Sequence, residues 1–142
     1  MKQLSRMLGV TLLEVMLVLA IAAMVILMSV KFYKSAADSN QVNTYMQTVQ
    51  AITAAADGLA ANTGSYAAAT TAAVTTIVGA NNMRAPWGAA LTLTAVGTTG
   101  VTITPATAAG TSVCAQVELK LEANPKYAVT CPAATVTYTS TN

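Results

Sequence analysis

Residues 10–30 read VTLLEVMLVLAIAAMVILMSV, a run of 21 residues with one charge, Glu14. As a helix rising 1.5 Å per residue the run is about 31 Å long, the thickness of a bilayer's hydrocarbon core. The nine residues before it, MKQLSRMLG, are polar and basic through Lys2 and Arg6. A positive flank of this kind places the N-terminus on the cytoplasmic side. Lys31 and Lys34 follow the run and weaken that bias. They do not reverse it, because the downstream part carries a cysteine pair suited to an oxidising compartment.

The composition narrows the remaining possibilities. The chain has 142 residues, 54% of them apolar and only 8% charged, against roughly 25% charged in an ordinary soluble protein. Its mean hydropathy is +0.55. That much apolar content excludes a disordered chain. A net charge of +2 offers no field for nucleic acid, so no nucleic-acid binding is expected. The sequence has no histidine, which removes histidine zinc sites and the usual triad base. Phosphate-loop, dinucleotide, nucleophile-elbow and metalloprotease motifs are all missing. The acids outside the apolar run are Asp38, Asp57, Glu118 and Glu122, and their spacing forms no paired-carboxylate motif. No enzyme, catalytic residue, cofactor or metal site is expected.

Three readings fit the apolar run. A secretory signal would be cut at Ala20-Ile21-Ala22, before Ala23, but the run continues past that point to Val30 and contains Glu14. A plain membrane anchor fits the length and leaves Glu14 without a role, although acids inside a bilayer are costly and mark function. The third reading rests on Gly9-Val10-Thr11-Leu12-Leu13-Glu14. This stretch resembles the prepilin processing motif of the type IV pilin family. The resemblance implies a leader-peptidase cut between Gly9 and Val10, N-methylation of Val10, and Glu14 as the fifth mature residue. Val10 stands where phenylalanine or methionine is more usual. The chemistry is coherent: glycine lets a protease approach its backbone, and the freed amine of one subunit pairs with Glu14 of its neighbour in an apolar filament core, where charges must be compensated.

No glycine or proline interrupts Val10 to Asp57. Beyond Ser39 one face is marked by Val42, Tyr45, Met46, Val49, Ile52, Ala56 and Leu59, at helical spacings of three and four. Tyr45 and Met46 are read as packing that face onto a sheet. Asp57-Gly58 and then Asn62-Thr63-Gly64 are stop signals. The result is one helix of about 50 residues, long beyond the globular norm. Type IV pilins have such a helix, half exposed and half packed on a C-terminal sheet. The absence of proline in the apolar half is closer to the type IVb group of bundle-forming and conjugative thin-pilus pilins. Ala36–Asn40, Asn62–Tyr66 and Pro86-Trp87-Gly88 also resemble that group.

Beyond the helix the chain is rich in threonine. Residues 62–85 read as a loop with a short helix near Ala72–Val78. Ala90–Val96 and Val101–Thr104 alternate about Gly97–Gly100 and predict a hairpin. Thr135–Thr141 is a third strand, in which threonine's branched carbon favours the extended backbone. Residues 111–122 alternate like a strand, yet Val113, Cys114, Val117 and Leu121 form a helical stripe after a possible Thr111-Ser112 cap. Type IVb pilins often place a second helix there, and the helix is preferred. Cys114 and Cys131 are the only cysteines. They are too far apart for a redox or zinc motif, and in an exported domain they are expected to form one disulfide. In the family such a pair encloses a variable surface region; here that region is 114–131, with Lys120, Glu122 and Lys126 as an ordinary solvated face.

The expected architecture is therefore α+β, of the type IV pilin kind: a long N-terminal helix packed on a small antiparallel β-sheet, with one disulfide. Residues 1–9 are the leader, 10–31 the transmembrane and filament-core half of the helix, 32–61 its amphipathic half, and 62–142 the C-terminal domain. The resemblance implies a pilus subunit that polymerises with itself, served by a prepilin peptidase and the assembly machinery. The precursor would sit in the inner membrane with a periplasmic C-terminal domain, and the assembled pilus outside the cell. A minor pilin or a type II secretion pseudopilin is the alternative within the fold. A monomeric membrane-anchored binding module is the alternative outside it.

Overall fold

A computed structural model describes residues 11–140. Residues 1–10, which include the expected leader 1–9 and the expected new terminus Val10, lie outside the described residues. The order of elements is α1 (Leu12–Thr63), a 3-10 turn (Tyr66–Ala68), α2 (Thr71–Val78), a second 3-10 turn (Ala80–Asn82), β1 (Leu91–Val96), β2 (Gly100–Pro105), α3 (Thr111–Leu121), β3 (Tyr127–Thr130) and β4 (Thr135–Thr139). The chain divides into two compact units between Ala36 and Ala37.

In the first unit every described residue is exposed. Its large apolar side chains are open to their surroundings, from 46% for Val15 to 78% for Leu12 and Tyr33. By length and composition this part of α1 is able to cross a membrane.

The second unit holds a core. Val42, Tyr45, Val49, Ile52 and Ala56 of α1 are buried, with Met46 and Leu59 partly so, so the helical face read from spacing is the face that packs. Thr53 and Ala55 join it. The helix does not stop at Asp57-Gly58. Asp57 is held by tyrosines instead of capping a helix end, and α1 runs on to Thr63. There Gly64 adopts φ 74° and its amide donates to the Ala60 carbonyl at 2.7 Å, a glycine C-terminal cap.

The four strands are antiparallel in the order β1-β2-β4-β3. Leu91, Leu93, Val101, Ile103, Val129, Val136 and Tyr138 are buried, while the alternate positions are mostly threonines, with Ala128 an exception. Thr94 is opposite Thr102, which is opposite Thr137. The Thr102 and Thr137 hydroxyls come within 3.4 Å across the strands. One face is thus apolar, and the other is polar without charge.

The structure decides residues 111–122 in favour of a helix. Val113, Cys114, Val117 and Leu121 are buried, whereas Ala115 and Leu119, which strand alternation would bury, are exposed. Thr111 and Ser112 do not cap this helix. Gly110 is the N-cap and makes no side-chain cap bond; the Ser112 hydroxyl donates to Asp38 Oδ2 at 2.8 Å instead. The disulfide Cys114–Cys131 joins α3 to the residue after β3. Strand β3 was not anticipated: its four residues between Pro125 and Pro132 are too few to show a period.

Gly100 sits where β2 meets β4, and a Cβ there would overlap the Tyr138 carbonyl oxygen. Gly58 has open space around it. Gly100→Ala is therefore expected to lower stability by about 1–3 kcal/mol through forced backbone shifts. Gly58→Ala is expected to raise it by about 0.5–1 kcal/mol through helix propensity. Chemical denaturation followed by Trp87 fluorescence checks both.

Candidate functional site

The sequence places its functional weight on Glu14, and the structure puts that residue in the first turn of α1. The Glu14 amide donates to the Thr11 carbonyl at 2.9 Å, with the Thr11 hydroxyl also near at 3.4 Å. A carboxylate in a first turn sits favourably against the positive end of the helix dipole. Glu14 lies with Val15, Val18 and Leu19 along a shallow groove on the helix surface. The first basic residue after it on α1, Lys31, is 17 positions on, about 26 Å of helix. The carboxylate thus stands on an exposed apolar surface with no cation near it on its own helix. Gly9 and Val10, where the resemblance leads one to expect cleavage and methylation, lie outside the described residues.

A second site was not read from the sequence. Asp57, noted there only as a stop signal, is the hub of a hydrogen-bond network joining α1 to the rest of the second unit. Its Oδ1 accepts from the Tyr66 hydroxyl. Its Oδ2 accepts from the Tyr138 hydroxyl at 2.9 Å. The Tyr66, Tyr138 and Tyr127 rings form a tilted cluster with centroids 6.4 and 5.2 Å apart, and the Tyr127 and Thr53 hydroxyls are 3.2 Å apart. The signal that would have found it is the solitude of Asp57: an acid next to the buried Ala56, in a chain with very few charges, requires donors.

The Asp57 network opens onto a cleft of about 440 Å³ formed at the end of α1 and the β1–β2 turn. Its walls include Ala60, Ala61, Thr98, Thr99 and Ser140. No basic residue lines it. Among the described residues no group of three or more histidine, cysteine or carboxylate side chains is placed to hold a metal ion.

Lys120 and Glu122 of the 114–131 region are exposed, as expected of a solvated face, and each also makes a hydrogen bond. Lys120 Nζ donates to Asn43 Oδ1 at 2.9 Å, and Glu122 Oε1 accepts from the Val129 amide at 3.1 Å. These contacts tie α3 to α1 and to β3. The chain matches no protein-family model, no curated protein and no solved structure.

Burial pushes the Tyr45 hydroxyl well above the ordinary phenol value of 10.0. Burial also raises Tyr138 and Tyr66, and the hydrogen bond to Asp57 and its negative charge raise both further. In the unfolded chain these phenols ionise at the ordinary value; in the folded chain they hold their protons longer. The stability this represents is complete below pH 10 and is lost as pH rises through the folded values. A tyrosinate-absorbance titration of native and denatured chain is expected to show three delayed phenols in the native form only, with denaturant resistance falling above pH 10.

Proposed function

We propose that the chain is the structural subunit of a filament, a pilin of type IV character closest to the type IVb group. The observation that carries this reading is the division of labour along α1. Its second part has a sheet to cover its apolar face, whereas its first part is exposed throughout, is apolar as far as Val30, and carries one carboxylate with no cation near it among the described residues of the helix. Such a surface is stable only in lipid or against other apolar helices. A carboxylate within it calls for a cation from another molecule.

In this reading the precursor inserts in the bacterial inner membrane, with its N-terminus cytoplasmic and its C-terminal domain periplasmic. A prepilin peptidase cuts after Gly9 and Val10 is N-methylated. The assembly machinery then transfers the apolar segment from lipid to a filament core, where the Val10 amine of one subunit faces Glu14 of the next. The contact is head to tail and does not close, so it propagates as an open helix. The filament is extracellular and serves adhesion, aggregation or conjugation. The cysteine pair, formed as a disulfide in the folded domain, suits that oxidising location.

Intact mass of the mature chain is expected to show loss of residues 1–9 and one added methyl on Val10. An uncut chain, or one cut after Ala22, overturns the reading. Sheared surface material is expected to contain fibres of this chain by electron microscopy. Glu14→Ala is expected to leave the monomer folded and membrane-inserted while reducing fibre yield at least about tenfold, the order of magnitude for an uncompensated buried amine.

A further inference from the structure

We propose that the Asp57 cleft is a binding site for a primary ammonium group carried on an alkyl stem, supplied either by a free amine or by a lysine of a second copy of this chain. The inference does not rest on the filament reading. It starts from the carboxylate's charge. Asp57 accepts one hydroxyl on each oxygen, from Tyr66 and Tyr138. Both donors are neutral, so they satisfy geometry and leave the full negative charge in place. A carboxylate has about four lone-pair positions, so two acceptor positions remain. Asp57 is half-buried and is itself part of the cleft wall. The charge is therefore partly desolvated, fixed in orientation by two hydrogen bonds, and open on one side.

The rest of the cleft fits the two ends of such a ligand. Ala60 and Ala61 provide a methyl-lined wall along which a methylene stem can lie, as lysine stems do on apolar surfaces. Thr98, Thr99 and Ser140 also line the cleft; each carries a side-chain hydroxyl able to accept an ammonium proton that the carboxylate does not take. An ammonium has three donors and no acceptor, which suits a cleft built around a carboxylate. The volume, about 440 Å³, lies within the range of small-molecule sites, roughly 300–1,000 Å³. A divalent metal is disfavoured, since one carboxylate among neutral oxygens is a poor hard-cation site.

The test uses the full-length chain in detergent micelles, with amide chemical shifts of Ser65, Thr98, Thr99 and Ser140 as the readout. n-Butylammonium chloride is the probe; n-butanol and sodium chloride of equal ionic strength are the controls. Saturable shifts are expected with butylammonium alone. Asp57→Asn is expected to weaken binding at least about tenfold, as loss of a charge-assisted hydrogen bond does. Ala61→Phe, at an exposed position of α1, is expected to block the cleft while leaving the tyrosine–carboxylate network intact. Both variants should keep the native circular dichroism. A response to butanol equal to that of butylammonium, an affinity unchanged in Asp57→Asn, or no saturable shift in the native chain overturns the proposal.

The source of the ammonium is then resolved by carbodiimide coupling in an equal mixture of nitrogen-14 and nitrogen-15 chains. An amide joining Asp57 of one isotopic form to a lysine of the other identifies the second copy. Butylammonium binding without that cross-link identifies a free amine.

Discussion

Tyr45 fixes where the helix meets the rest of its domain. Its ring is fully buried and lies 4.9 Å from the ring of Trp87, and its hydroxyl donates to the Ala134 carbonyl at 2.7 Å. Trp87 in turn donates through Nε1 to the Thr107 carbonyl at 3.0 Å. One side chain of α1 is thereby tied to the segment before β1, the segment before α3 and the turn between β3 and β4. The same turn begins at Cys131, so the disulfide and the tyrosine hold it from two sides. Fixing the rotation of α1 at Tyr45 puts Val42, Val49, Ile52 and Ala56 inside together, because positions three, four and seven apart share a face.

A sheet with so few charges must protect its edges by other means. Edge strands invite pairing with other chains, and charged side chains are the common defence. Here hydrogen bonds from side chains take that role. On β1 the Thr71 hydroxyl accepts from the Leu93 amide at 2.8 Å and lies 3.3 Å from the Leu93 carbonyl, to which it donates. It occupies the place a neighbouring strand would take. On β3 the Glu122 carboxylate accepts from the Val129 amide. Each edge thus has one backbone position taken by a side chain from an adjacent helical segment, Leu93 by Thr71 and Val129 by Glu122.

The fold was legible wherever burial imposes a period. The α1 face, the 91–105 hairpin and the last strand all repeat often enough to be read, and the alternation of threonine with valine or leucine carries the register. Residues 111–122 satisfied both periods, and only Ala115 and Leu119, exposed in the helix, separate them. Strand β3 is too short for any period. The Asp57 network could not be read because its three members lie 9 and 81 positions apart along the chain; a sequence shows that a lone acid needs donors, not which tyrosines will reach it. The hydrogen bonds of the exposed Lys120 and Glu122 are not legible for the same reason, since their partners are backbone and amide groups that carry no charge pattern. Glu14 stands out in the sequence because it breaks a pattern that is otherwise uniform.

The manner in which the acids are satisfied links these features. Asp38 accepts from a serine hydroxyl, Asp57 from two tyrosine hydroxyls and Glu122 from a backbone amide. Lys120 donates to an asparagine. Each of these four charges is held in place by a neutral group, so its geometry is set within the chain while its field is left uncancelled. Removal of Lys2 and Arg6 with the leader would bring the seven basic residues to five, equal to the five acidic ones. Such a chain has no net charge to repel its copies, yet it keeps oriented single charges that a second molecule can complement. Neutral anchoring costs less desolvation than a buried ion pair. In a chain with 8% charged residues, it leaves the few full charges to act between molecules, where charge complementarity sets register and specificity.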